Sequence, residues 1–193
     1  MARGAVAAAA PSLPDLLRPG LDIVFVGINP SLYSAQTGHY FARPTNRFWP
    51  ALSRSRLSVK ARRALGLERL EPCHDTLLLE HGIGFTDVVK RPSARAAELS
   101  RAELEAGAEA LALKLAALKP RIACIHGLTA YRPLHGLLAP SAADPSLGMQ
   151  TATIGAAPIF VVPNPSPANA HFTPADQTQW YDRLAAALEG LPA

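Results

Sequence analysis

Residues 21–30 read Leu21-Asp22-Ile23-Val24-Phe25-Val26-Gly27-Ile28-Asn29-Pro30. The run from Leu21 to Ile28 is almost continuously apolar and rich in β-branched residues. Such a run suits a strand buried on both faces, as in the middle of a parallel sheet. It ends at Asn29-Pro30, where proline removes a ladder donor. Arg121-Ile122-Ala123-Cys124-Ile125-His126-Gly127 and Ile159-Phe160-Val161-Val162 have the same character and are read as strands. Helical patterns fall between them. Ser100-Arg101-Ala102-Glu103 is a capping box. It opens a helix to about Leu118, with Leu104, Ala108, Leu111, Leu115 and Leu118 on one face. Thr173-Pro174-Ala175-Asp176 starts another helix, threonine capping and proline at the first helical position, that ends near Gly190. Further helix is predicted from near Asn46 (carrying Phe48, Trp49 and Leu52), over residues 57–82 (with Leu77, Leu78 and Leu79 in the core) and through Tyr131. Residues 31–45 and 139–150 are predicted loops. Strands alternating with helices predict an α/β fold, a three-layer α/β/α sandwich around a central, mostly parallel sheet.

The chain has 193 residues and 49% hydrophobic composition, enough for one domain with a sizeable core. A single domain is predicted over residues 13–193, preceded by a loose extension at residues 1–12. The Ala-rich stretch at residues 5–10 is too short for the apolar core of a signal peptide. No run approaches the roughly 20 apolar residues of a membrane span. A cytoplasmic, membrane-free protein is the expectation. Two cysteines, Cys73 and Cys124, exclude a disulfide framework and a four-cysteine metal or iron–sulfur site. Both are expected as buried free thiols. The histidines show no metal-ligand spacing with partner carboxylates, so neither metal nor cofactor is expected.

The net charge is only +4, but it is unevenly placed. Residues 1–66 hold nine basic and two acidic side chains, against ten and thirteen in the remainder. Seven of the basic residues lie between Arg43 and Arg63 with no acid among them. This stretch is either a phosphate-facing surface or a set of solvated arginines.

Ligands of parallel α/β sheets sit beyond the carboxyl ends of the strands. Two proline-bounded polar segments fall there, Gly27-Ile28-Asn29-Pro30-Ser31 and Asn164-Pro165-Ser166-Pro167-Ala168-Asn169-Ala170. Such residues have restricted backbone freedom and hold side chains in place.

The segment GINPSLYSAQTGHYFARPTNRFW, from Gly27, resembles the first motif region of the mismatch-specific uracil/thymine-DNA glycosylases. GIGFTDVVKRPS and VVPNPSPANAHF are similar to later blocks of that family, and the resemblance spans about residues 14–190. It implies hydrolysis of the N-glycosidic bond of uracil, or of thymine opposite guanine, in double-stranded DNA carrying G·U or G·T mismatches. The target nucleotide must be flipped out of the stack, at a cost of about a few kcal/mol. A monomer gripping one lesion is expected.

By the same resemblance, Asn29 is the catalytic residue, its amide orienting a water near the sugar C1′. An amide is no strong base, so the reaction leans on dissociation and a slow enzyme is expected. Phe41 matches the aromatic that stacks on the flipped base. Ile28 matches a backbone contact to the base. Ser34 lines the pocket in the family, or it caps the loop. His39 and Tyr40 share that loop, and Asn46 is expected to cap the helix that follows. Thr86 and Asp87 fall beside the pocket. Asp87 is read either as an aid to water activation or as a strand-end cap. The loop from Asn164 to Ala170 matches the one that enters the minor groove and plugs the gap. Pro167, Ala168 and Asn169 form its tip, where related enzymes carry Leu or Arg. Ser166 and the N–H groups near it are expected to meet a phosphate. Ser31 stands where the family often has Gly. Two other functions fit these residues: a non-catalytic reader of damaged or abasic DNA, and a small-molecule nucleoside hydrolase.

Overall fold

The computed structural model describes residues 12–192, so most of the expected N-terminal extension lies outside the described residues. Its centre is a five-stranded sheet of β1 (Ile23–Gly27), β2 (Ile83–Asp87), β3 (Ile122–His126), β4 (Gly148–Ile154) and β5 (Ala157–Val162). The spatial order is β2-β1-β3-β5-β4. β1 runs parallel to β2 and to β3, and β3 parallel to β5, while β4 pairs antiparallel with β5. The fold is the expected α/β/α sandwich.

β1 occupies the middle, and the sequence shows why. Ile23 and Phe25 point into one core, and Val24 and Val26 into the other. A strand with two buried faces needs apolar residues without alternation. The first core is covered by α2 (Phe48–Arg54), α3 (Val59–Leu65) and α7 (Pro174–Glu189), and the second by α5 (Arg101–Leu118) and α6 (Leu128–Leu138). The expected capping box at Ser100 forms, and the expected Thr173 cap proves to be one as well. Ser100 Oγ accepts from Glu103 N–H at 3.2 Å while Glu103 Oε2 accepts from Ser100 N–H at 2.9 Å. Thr173 and Asp176 repeat the exchange.

Four expectations need correction. Residues 31–45 are not all loop, because Ser31 caps a short helix, α1 (Leu32–Thr37), by accepting from Ser34 N–H. Six residues without an apolar stripe carry no periodic signal. Residues 57–82 are not one helical run. They break into the end of a 3₁₀ turn, α3, a second 3₁₀ turn, α4 (Asp75–Leu78) and a third 3₁₀ turn, with Gly66 in the left-handed region ending α3. Of the three leucines there, Leu78 is fully buried and Leu77 is exposed. β4 begins inside the predicted loop at residues 139–150. It is an edge strand whose exposed and half-buried residues alternate, so it has no apolar run to find. Cys124 is buried, but Cys73 is exposed.

Candidate active site

A cleft of about 760 Å³ opens at the carboxyl ends of β1, β2 and β3, within the usual size range of ligand pockets. Ile28, Asn29, Ser34, Phe41, Asp87, Ser166, Pro167, Ala168 and Asn169 all line it. Thr86 does not. Successive strand residues face opposite sides of a sheet. Asp87 therefore takes the cleft, and the Thr86 hydroxyl is buried on the other side, donating to Asp15 Oδ1 at 2.7 Å.

Asn29 follows the last ladder residue of β1, and its amide is held in one orientation. Nδ2 donates to the Arg91 carbonyl at 3.0 Å and to Ser93 Oγ at 2.8 Å. The Ser93 hydroxyl spends its own proton on the Arg95 carbonyl at 2.8 Å, so it acts as acceptor toward Asn29. A carbonyl oxygen accepts only, which assigns the Asn29 nitrogen to that side. Oδ1 is left as the acceptor that Asn29 offers the cleft. Ser93 also lines the cleft, and sequence reasoning gave it no role. Its signal was its place in GIGFTDVVKRPS, but nothing local says that it meets a residue 64 positions away.

Phe41 has φ of 52°, the left-handed region, which costs a non-glycine residue about 1–3 kcal/mol. Its neighbours hold it there. Tyr40 N–H donates to buried Asp75 Oδ2 at 2.9 Å, Trp49 Nε1 donates to the Tyr40 carbonyl at 2.9 Å, and Ala42 N–H donates to Ser34 Oγ at 3.2 Å. Ser34 is thus the loop brace of the two roles considered for it, while still lining the cleft. The Phe41 ring stacks on Phe48 with centroids 4.3 Å apart and planes at 16°. A flat ring entering the cleft meets an aromatic platform already two deep. Tyr40 is turned inward, its hydroxyl donating to the Pro14 carbonyl at 3.0 Å, and His39 Nδ1 lies 3.1 Å from Asp75 Oδ1. Asn46 Oδ1 accepts from Phe48 N–H at 2.9 Å, at the start of α2 as expected.

Asp87 packs against the backbone of Gly27. A Cβ on Gly27 would collide with Asp87 Oδ1, and would lie 3.6 Å from Asp87 Cγ and 3.7 Å from Phe41 Cε1. Only glycine lets the carboxyl group and the aromatic platform meet there. Asp87 Oδ2 is buried without a hydrogen-bond partner. Burial pushes the carboxyl up to about 7, Lys90 and Lys114 drawing it down and Asp15 adding to the rise. His126, on the same cleft wall, is held neutral by burial, which takes it down to about 3. Its Nδ1 donates to the Val26 carbonyl at 3.2 Å, leaving Nε2 to accept from the Tyr181 hydroxyl at 3.0 Å. With both nitrogens engaged, His126 is no proton donor to the cleft.

The loop after β5 forms the opposite rim. Its polar groups turn inward. Ser166 N–H donates to Asn164 Oδ1, Asn169 Nδ2 to the Asn164 carbonyl and Asn169 N–H to the Ser166 carbonyl, each at 3.0 Å. Pro167 and Ala168 are the exposed tip. Arg47 ties this loop to α2: its Nη1 donates to the carbonyls of Asn169 and Phe172, and its N–H to the Pro165 carbonyl. One of the seven clustered basic residues is therefore a strut. Arg56 is engaged by Asp182, and Arg62 by Ser58 and the Glu68 carbonyl. Arg43 lines the cleft, and Arg54, Lys60 and Arg63 are exposed. Among the described residues, no group of three or more His, Cys, Asp or Glu is gathered as a metal would need, and no helix is long and apolar enough to cross a membrane.

At one cleft of an open α/β sheet, the fold thus gathers an aromatic ring on a left-handed backbone and an oriented amide. The sequence profile of the uracil DNA glycosylase superfamily matches residues 14–188, and the chain belongs to that superfamily. It is thereby placed among the DNA N-glycosylases. The fold is also that of a solution NMR structure from Methanosarcina acetivorans, described as a candidate uracil DNA glycosylase. That structure is 22% identical, with a TM-score of 0.56 covering 93% of this chain and 98% of the other.

Proposed function

We propose that this protein is a monofunctional glycosylase that flips uracil from a G·U mismatch and hydrolyses its N-glycosidic bond, leaving an abasic site. The observation that carries this is the Asn29 amide, pinned through Nδ2 in a cleft that Phe41 also lines, which leaves Oδ1 as its acceptor. The flipped pyrimidine stacks on Phe41, and the amide oxygen accepts from a water and aims it at C1′. An amide takes no proton, so departure of the base leads and the water follows. Thymine opposite guanine is the second substrate. The motif resemblance at Gly27–Trp49, Gly82–Ser93 and Val161–Phe172 supports reading the protein with the mismatch-specific uracil/thymine branch. It acts as a monomer on double-stranded DNA, without metal or cofactor. Pro167, Ala168 and Asn169 enter the gap left by the base, and Ser166 steadies that loop against the backbone. A small tip makes a shallow wedge, so a mispaired base that already costs less to flip is the favoured target.

Labelled duplexes containing G·U, G·T and A·U, with single-stranded U beside them, give the test after alkali treatment. Strand cleavage at G·U, above A·U, is expected. A mobility shift without cleavage makes the protein a reader of damage. Consumption of free deoxyuridine with neither shift nor cleavage makes it a nucleoside hydrolase.

A further inference from the structure

Residues 13–16 form a strap across the edge of the sheet at β2. Leu16 exchanges two backbone hydrogen bonds with Phe85, each at 2.9 Å. Gly84 makes room for it, since a Cβ there would lie 2.7 Å from the Leu16 carbonyl oxygen. The strap also reaches the cleft. Leu13 is 1% exposed and lines the cleft together with Tyr40 and Phe41. Pro14 presents its carbonyl to the Tyr40 hydroxyl at 3.0 Å, and Lys90 Nζ donates to the same hydroxyl at 3.1 Å. Tyr40 is thus tied to the strap by the far end of its ring, one residue before the left-handed backbone of Phe41.

Asp15 fastens the strap. Its side chain is 24% exposed. Oδ1 accepts from Thr86 Oγ1 of β2 and from Lys90 Nζ, both at 2.7 Å, and Oδ2 accepts from Lys114 Nζ of α5. Burial works to raise this carboxyl, and the hydrogen bonds from Lys114, Lys90 and Thr86 outweigh it, so it is held below its ordinary range. Ion pairs taken out of water add little net stability, but removing one partner leaves the others uncompensated. Such a network fixes position. Here it fixes the strap to β2 and α5, and Lys90 carries the connection on to Tyr40.

Building on the glycosylase reading, we propose that Asp15 is a positioning residue for the flipped base, holding the strap so that Leu13 walls the cleft and Tyr40 keeps Phe41 in place. A non-glycine residue stays in the left-handed region only where its surroundings over-determine it. Asp75, Trp49 and Ser34 brace residues 40–42 through the backbone. The strap supplies the brace at the side-chain end. Asp15 itself does not line the cleft, so it reaches the base only through these neighbours.

Two duplexes separate positioning from folding. One carries a non-cleavable 2′-fluoro-deoxyuridine opposite guanine, and the other an abasic-site analogue opposite guanine. Both engage the DNA-binding face, and only the first puts a base in the cleft. Asp15→Asn is expected to bind the uracil duplex about tenfold more weakly, and the abasic duplex within about threefold of wild type. Tyr40→Phe leaves Asp15 with Thr86 and both lysines and removes only the hydroxyl, so the same split is expected. Combining the two changes is expected to cost less than about twofold more than either alone. Hydrogen exchange over residues 39–42 is expected to quicken in both variants, with β3 and α6 unchanged. Equal weakening on both duplexes assigns Asp15 to folding and overturns the proposal. So does an unchanged affinity for the uracil duplex, or an additive loss in the double variant. Should Asp15→Asn fail to fold, Tyr40→Phe decides alone, and an unchanged ratio between its two affinities overturns the proposal. In all these cases the glycosylase reading stands. Absence of uracil excision by wild type from a G·U duplex overturns that reading instead, and the exchange over residues 39–42 then decides the hold of the strap on Phe41.

Discussion

Asn29 was legible from the sequence because an asparagine between a buried strand and a proline has few places to go. Its orientation was not, because Arg91 and Ser93 reach it from more than sixty positions away. That arrangement makes Ser93 a positioning residue. Ser93→Ala removes an acceptor worth about 1–1.5 kcal/mol and lets the amide turn. The expected result is a roughly tenfold lower single-turnover rate at unchanged DNA affinity. In an Asn29→Ala background the same change should cost nothing further, and an additive loss would show that Ser93 acts by another route. Asp87 has a stability consequence. Its carboxyl is raised in the folded protein, to about 7. Its contribution is therefore full below the ordinary carboxylate range and is lost as pH rises through about 7. Asp87→Asn removes that loss. Its melting temperature should exceed wild type by at least about 4 °C at pH 8.5, with the gap closing toward pH 4. An equal gap at both pH values would mean that the buried charge is not its source.

At the scale of elements, the strands with unbroken apolar runs announced themselves, while β2 (IGFTD), buried but interrupted by glycine and polar residues, and the half-wet β4 did not. β1, β3 and β5 carry unbroken apolar runs. β4 does not, since an edge strand with one wet face has no need of them. The loops of the cleft were placed at the right strand ends, but their internal bonding was hidden. Thr86 and Asp87 were both assigned to the pocket, and the pleat allows only one of them. Arg47 is the clearest case. By composition it belongs to a basic stretch read as either phosphate-facing or solvated, yet its guanidinium is spent on the carbonyls of Asn169 and Phe172. Cutting that strut should free the rim loop without touching the sheet. Hydrogen exchange in Arg47→Ala is expected to speed up over residues 166–172, with α5 unchanged. Arg47→Lys should recover only part of the protection, because a lysine lacks the planar fork. Unaltered exchange over the loop would remove Arg47 from this role.

Over the whole molecule, the modest total charge conceals a division of labour. The basic first third is the stretch of sequence that also carries Asn29 and Phe41, and of its seven clustered basic residues Arg43 lines the cleft. Within it, the guanidinium groups of Arg47 and Arg62 are spent on internal contacts, while Arg43, Arg54, Arg56, Lys60 and Arg63 are exposed. The fold class and the cleft's location followed from periodicity and proline placement. The superfamily was legible in three quoted blocks, and its profile spans residues 14–188. What no pattern could convey was which groups would end up buried without partners, since that depends on packing across the sheet. The central claim is that the oriented Asn29 amide drives uracil excision. Single-turnover cleavage of a G·U duplex by wild type and by Asn29→Ala, with DNA affinity measured in parallel, tests it most directly. The expected result is a rate lower by at least about a hundredfold at DNA affinity within about threefold of wild type. Excision by Asn29→Ala at the wild-type rate would contradict it.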